Sequence, residues 1–423
     1  MAEKQYMCID LKSFYASVEC VELGLDPMTT NLVVADPERG DKTICLAVSP
    51  SMKALGVKNR CRVFEIPKNI EYIMAEPRMQ KYIEYAAEIY TVYLTYVSPD
   101  DIHVYSIDEV FLDVTHYLPL YHMTAKELAI KIMGDIVDKV GVRATCGIGT
   151  NLYLAKIALD ITAKHAKDFI GILDEESYRE TMWSHKPLTD FWRVGKGTAN
   201  RLALYGIHTM GDIAHASEDM LYHMFGIDAE LLIDHAWGRE PTTIADIKAY
   251  HSKTNCLTSG QVLMRDYSFS EGELIVKEMT DQLCLEMLDK GVVTSSVTLY
   301  VGYSNSLHME SARGTASLAT ETNADSMMIP AVTALYRRIV NPAYPVRRIN
   351  ITCNNVVKDS GMYQYSLYDD AKALERNRKL QQAMLDIKKK YGKNSILKGM
   401  NLEEAATGRE RNRQIGGHKS GEK

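Results

Sequence analysis

The chain has 423 residues, 46% apolar and 25% charged, with a formal net charge of −6. That is ordinary globular composition, and the length suits about three or four domains of roughly 100–200 residues each. No apolar run nears the ~18 residues of a membrane span, and the opening MAEKQYMCIDLKSF has no signal-peptide core; a cytoplasmic protein with no membrane partner is expected. The eight cysteines follow no C-x-x-C spacing, which argues against a disulfide framework or a zinc site. Negative net charge leaves any nucleic-acid binding to local basic patches.

In chain order, KQYMCID reads as a short buried strand. SFYASVECVEL reads as a helix with Phe14, Val18 and Val21 near one face, so Asp10 falls where strand becomes helix. Residues 14–75 read as an inserted subdomain. EYAAEIYTVYLTYV is helical, IHVYSI and VFLDV form a hairpin, TAKELAIKIMGDIVDKV is an amphipathic helix, VRATCGIG a strand and NLYLAKIALDITAKH a helix. Strand, helix, strand, strand, helix, strand is a split βαβ order. Residues 173–240 read as short helices around FWRVGKGTANRLALYGI, followed by a linker, and 251–358 repeat the βαββαβ order without repeating the sequence.

The tail differs in charge. Residues 372–398 carry nine basic against two acidic residues, a basic helix that is either a solvated face or a support for duplex or a partner. GRERNRQIGGHKSGEK is polar and glycine-bearing and is expected to be disordered when free.

Asp108 and Glu109 stand side by side in HVYSIDEVFLDV. The plain reading is a polar hairpin turn, although adjacent carboxylates repel. In a split βαβ sheet the first and third elements lie side by side, which sets the end of the Asp10 strand beside that turn. Three acids from separate elements offer the oxygen ligands for two Mg²⁺ ions roughly 3.5–4 Å apart, the arrangement of metal-assisted phosphoryl transfer.

CIDLKSFYASVE together with YSIDEVFLDVT resembles the paired catalytic motifs of the Y-family, or translesion, DNA polymerases, and KALGVK with the tail resembles their UmuC-like bacterial branch. The match runs in order along nearly the whole chain. It implies an α+β right hand: a βαββαβ palm (1–13 and 76–172), small fingers (14–75), a helical helix-hairpin-helix thumb (173–240), a linker (241–250), a βαββαβ little finger (251–358), then a clamp-binding segment, basic helix and flexible tail (359–423). It also implies two Mg²⁺ ions held by Asp10, Asp108, Glu109 and the main-chain carbonyl of Leu11, with Glu109 where the primer 3′-hydroxyl is activated. Tyr15 resembles the steric gate under the sugar of the incoming nucleotide, with Phe14 beside it. An aromatic opening an amphipathic helix is otherwise core.

The same comparison makes CLAVSPSMKALGVKNRCRVFEI the fingers, where the family's triphosphate-binding tyrosine and arginine are replaced by Pro50 and Lys53. Lysine keeps the charge and loses the bidentate fork. The second triphosphate cation is Lys164, which aligns after a one-residue shift, with Lys156 the fallback; a solvated helix charge is the ordinary fate of either. Gly195 and Gly197 resemble a helix-hairpin-helix, in which N–H groups at a helix start approach a phosphate. Arg265, Arg313, Arg347 and Arg348 are the little-finger candidates for DNA phosphates, against a solvated edge strand. Gln364, Leu367 and Tyr368 in QYSLY resemble the sliding-clamp-binding pentapeptide, against simple packing of the tail.

The expected function is template-directed, error-prone DNA synthesis across lesions, without proofreading. Its expected partners are primer-template DNA, dNTP, a sliding clamp, and recombinase or other damage-response accessory proteins, and its expected location is a cytoplasm in which it joins the nucleoid when active. A palm enzyme that cyclises or condenses nucleotides leaves the thumb, second sheet and tail unexplained. A non-catalytic DNA- and clamp-binding scaffold with a degenerate hand is disfavoured by the presence of all three acids and Tyr15.

Overall fold

A computed structural model describes residues 4–252, 254–361 and 371–421. The chain divides into two units after Tyr250, and each is taken by itself. Among the described residues no helix is long and apolar enough to cross a membrane, and all eight cysteines are free, seven of them buried.

The first unit is organised by a five-stranded sheet of order β5-β6-β1-β7-β8. Its strands are β1 (Tyr6–Leu11), β5 (Ile102–Val104), β6 (Glu109–Asp113), β7 (Ala144–Gly149) and β8 (Ile170–Leu173). β1 lies between β6 and β7, antiparallel to both, which is the split βαβ arrangement expected; β8 extends it in parallel with β7. Every residue of β7 is buried, and β1 is buried throughout except at Asp10, so apolar strand runs enclose one polar position. The strands are linked by α1 (Phe14–Glu22), α3 (Met79–Tyr96), α4 (Tyr117–Tyr121), α5 (Ala125–Val140) and α6 (Leu152–Ile157). A reciprocal Thr124–Glu127 capping box opens α5, and Gly141, at φ 70°, closes it, because only glycine takes that conformation without strain.

Between α1 and α3 lies the insertion, a small sheet of β2 (Leu32–Val34), β3 (Ala47–Val48) and β4 (Ile73–Ala75) in the order β3-β2-β4, with α2 (Pro50–Ala54). It has its own core around Val33, Val48, Met52 and Ile66. After β8 the chain is helical: α7 (Glu175–Met182), α8 (Lys196–Ala203), α9 (Met210–His215), α10 (Glu218–Phe225), α11 (Asp228–Ala236) and α12 (Ile244–Ala249). Tyr178, Phe191, Leu202, Met210 and Leu221 form part of a core shared with α6.

The second unit is a four-stranded antiparallel sheet of order β11-β10-β12-β9. It comprises β9 (Leu257–Tyr267), β10 (Val292–Tyr303), β11 (Ala312–Thr322) and β12 (Val346–Asn354), with α13 (Phe269–Lys290) and α14 (Asp325–Ile339). The short β13 (Val357–Lys358) pairs with the start of β10. One sheet face packs Val297, Leu299, Val301, Ile349 and Ile351 into the core. The expected βαββαβ order is present.

The tail corrects an expectation. Residues 408–421 are ordered: α16 (Gly408–Arg411) leads into a hairpin of β14 (Gln414–Ile415) and β15 (His418–Lys419). The anchor is charge on α13. Glu278, 5% exposed, accepts the N–H groups of Thr407 and Gly408 and the amide of Asn401. Lys398 joins Asp281, at 2.6 Å, to Asp325, and Arg411 donates to Gln261 and Ser259. Buried acids need partners, and a polar tail that supplies them folds. The basic helix α15 (Ala371–Tyr391) is likewise tied to its own unit, through Arg378 to Asp359 at 2.9 Å and Lys389 to Asp289.

Candidate active site

Strand pairing builds the site. Asp10 and Glu109 are direct partners across β1 and β6, and the Leu11 N–H donates to the Asp108 carbonyl at 2.9 Å. Asp108 ends the turn, whereas Glu109, expected in that turn, is the first residue of β6. Thr145 Oγ, opposite Asp10 on β7, donates to the Asp10 carbonyl at 3.3 Å. The sheet thus gathers the three acids at one end.

Their surroundings differ. Asp108 Oδ1 accepts from Ser106 Oγ at 2.6 Å. Glu109 takes Lys156 Nζ at 2.9 Å from both of its oxygens, with the Cys8 thiol at 3.2 Å. Asp10 has its carboxyl pushed up to about 7, first by burial and then by Asp108 and Glu109, with Lys156 and Lys164 only partly offsetting them. Among the described residues no three acidic, histidine or cysteine side chains already surround one point, because Asp108 turns to Ser106 and Glu109 to Lys156. The donor set still suits a divalent cation: carboxylate oxygens around negative charge that the neighbouring lysines leave uncompensated.

Lys156 reaches Glu109 because α6 sits almost on the backbone of β7. A Cβ at Gly147 would lie 2.0 Å from the Ala155 carbonyl, and one at Gly149 would lie 2.3 Å from the Ala155 nitrogen. Lys156 also bonds Asp160 at 3.0 Å. Burial opposes its charge, yet Cys8, Asp160 and Glu109 together hold it above the ordinary lysine value. This correction removes Lys156 as a fallback triphosphate cation, since its charge is spent on the carboxylates. Lys164 is the open one, its side chain 59% exposed and 3.5 Å from Asp160. The one-residue shift in its alignment coincides with a π-helical turn over Ala158–Thr162, a turn that absorbs an extra residue without ending the helix.

Tyr15 is half-buried and stacks on Tyr82, centroids 4.6 Å apart. The Tyr82 hydroxyl donates to Glu19 at 2.7 Å, and Arg78 grips both Glu19 oxygens, so the ring has a rigid support. Phe14 is corrected: at 2% exposure it is core and has no surface for a nucleotide. Burial and then Asp108 raise the Tyr15 hydroxyl, while Arg60 lowers it.

Pro50 is the first residue of α2, capped by Ser49, and Lys53 on the same helix lies in electrostatic range of Asp10, Lys164 and Asp108. Lys12, Arg60 and Arg143 also lie near the site and were not singled out from sequence. Lys12 stands inside CIDLKSFYASVE, two residues past Asp10, which was the available signal; Arg143 had none, because cross-strand partners are not readable locally.

Gly195 is the N-cap of α8 and Gly197 lies in its first turn. A Cβ at either would meet nothing within 4 Å, so packing does not require glycine there, and the bare backbone leaves the helix start open. In the second unit Arg265 bonds Glu271 at 2.6 Å and Arg347 faces Asp266 at 3.7 Å, which partly neutralises both. Arg313 pairs with Tyr300, and Arg348 with Gly302. Both therefore share the sheet face turned away from the core, because Tyr300 and Gly302 alternate with buried Leu299 and Val301. Gln364, Leu367 and Tyr368 lie outside the described residues.

Residues 9–160 match the impB/mucB/samB family and residues 258–367 match the C-terminal domain of that family. The chain is 30% identical to the putative UV-damage repair protein UvrX of Bacillus subtilis (strain 168), over 99% of this chain and 98% of that protein. It is 31% identical to DNA polymerase IV 2 of the same organism, over 99% of each. A solved structure described as a Y-family DNA polymerase chimera matches with a TM-score of 0.65 at 20% identity, covering 84% of this chain and 99% of that one.

Proposed function

Because this chain belongs to the impB/mucB/samB family of Y-family translesion DNA polymerases, we propose that Asp10, Asp108 and Glu109 are its catalytic carboxylates. The chain is a DNA-directed DNA polymerase that binds primer-template DNA and dNTP. The observation that carries the assignment is the direct pairing of Asp10 with Glu109, beside an Asp108 whose carbonyl holds the next residue of β1.

Asp10, Asp108, Glu109 and the Leu11 carbonyl would hold two Mg²⁺ ions. When bound, these supply charge neutralisation on the triphosphate and a lowered pKa at the primer hydroxyl. The residues of this chain do the rest. Glu109, steadied by Lys156, receives the primer 3′-hydroxyl region. Tyr15, backed by Tyr82, occupies the space that a 2′-hydroxyl needs. Lys53 and Lys164 attract the triphosphate, and the 3′-oxygen displaces pyrophosphate from the α-phosphorus. Arg313 and Arg348 lie along the duplex backbone, as do the open N–H groups at Gly195 and Gly197. In this reading the palm, fingers, thumb and little finger are assigned the ranges read from sequence, and QYSLY docks on a sliding clamp.

The test is primer extension on intact and damaged templates with and without Mg²⁺, comparing wild type with Asp108→Ala. Extension should require the metal and should fall by about 10³-fold or more in the variant, with primer-template affinity retained. Comparable turnover in Asp108→Ala would remove the assignment.

A further inference from the structure

We propose that Lys12 and Arg143, two palm residues, bind the β- and γ-phosphates of the incoming nucleotide together with Lys53. The inference rests on the polymerase reading above and adds two residues to it.

The two are neighbours across the sheet. The Lys12 N–H donates to the Arg143 carbonyl at 2.8 Å, which continues the β1–β7 ladder one step past the Leu11–Ala144 pair. Their side chains thus leave the same end of the sheet, two residues on from Asp10. The Lys12 ammonium is held 3.9 Å over the Phe169 ring, a contact that places the charge without neutralising it. Lys53 lies within electrostatic range of Lys12, as does Arg143. Among the described residues, none of the three forms an ion pair.

Lys12, Lys53 and Arg143 feel the carboxylates of the site only at a distance and repel one another, and burial of the Lys12 and Lys53 ammonium groups adds a desolvation cost. A polyanion relieves both. The place beside Asp10 selects which polyanion: the triphosphate, whose β- and γ-phosphates leave together as pyrophosphate and gain charge during the reaction. Pro50 and Lys53 remove from the insertion a hydroxyl and a guanidinium fork. Arg143 returns a guanidinium, able to make the bidentate phosphate contact that lysine cannot, from the end of the sheet that it shares with Lys12.

The experiment uses the full chain on primer-template, with Lys12→Ala, Lys12→Gln, Lys12→Arg and Arg143→Ala, each checked for an unchanged thermal midpoint. Three constants are read: KM for dNTP, the inhibition constant of inorganic pyrophosphate, and the dissociation constant of primer-template. Removing either charge should raise the first two by about tenfold and leave the third unchanged, and Lys12→Arg should restore most of the loss. KM and pyrophosphate inhibition within about twofold of wild type in all neutral variants would overturn the proposal. So would weakened primer-template binding with unaltered pyrophosphate inhibition, which would make these cations DNA contacts. Failure of the wild type to extend primers, or activity in Asp108→Ala, would instead refute the polymerase reading itself.

Discussion

Lys156 and Glu109 form a nearly enclosed ion pair at 2.9 Å, each side chain 9% exposed, one helix turn from Asp160 on the same helix. Removing one partner of such a pair leaves the other charge buried, at a cost of about 3 kcal/mol. Lys156→Met should therefore lower stability by roughly that amount and reduce kcat with little change in the KM for dNTP, since Lys156 acts through Glu109. Chemical denaturation with steady-state kinetics checks both. A variant that raised KM alone would make Lys156 a direct triphosphate contact.

Tyr15→Ala should admit ribonucleotides, because the discrimination is steric and the ring is the obstacle. Tyr82→Ala should relax the same selectivity to a smaller degree, since Tyr82 supports the ring from behind. Incorporation ratios of rNTP to dNTP measure this, and unchanged ratios in Tyr15→Ala would reduce Tyr15 to core packing.

Acid sensitivity is expected at Glu240. Burial raises its pKa, but His235 at 3.0 Å and the hydroxyl and N–H of Thr242 bring it down to about 2. A folded value below the unfolded 4.5 means that the stabilisation is complete above about pH 4.5 and is lost as pH falls towards 2. Glu240→Gln should be less stable at neutral pH and should show a shallower fall in Tm below pH 4.5. Parallel Tm profiles for the two proteins would exclude Glu240 as the source.

Replacing Leu367 and Tyr368 together with alanine should abolish sliding-clamp binding and processive synthesis while distributive extension on naked primer-template persists. The logic is tethering: attachment to a ring around DNA raises local concentration without new contacts at the site. Equal clamp affinity for the double variant and wild type, measured by titration, would reduce the segment to a connector.

What the amino-acid order determined on its own was local and periodic. Apolar runs and helical spacing marked two βαββαβ units, and the strand-ending Asp10 and the Asp108–Glu109 pair stood out because charge interrupted strands. Family motifs carried the reading further than periodicity, since they name spacing across the chain. The tertiary structure decided what depends on partners distant in sequence. Phe14 and Tyr15 are adjacent aromatics that both contact Tyr82, and only their burial in the assembled fold separates the core ring from the half-open one. Lys156 and Lys164 are two lysines on one helical stretch, and only the close approach of α6 to Gly147 and Gly149 spends the first on Glu109 and leaves the second open. The tail reads as polar and unstructured, yet it folds because buried acids on α13 require its N–H groups and Lys398. Burial and charge pairing are properties of the assembled neighbourhood, so no window of sequence contains them.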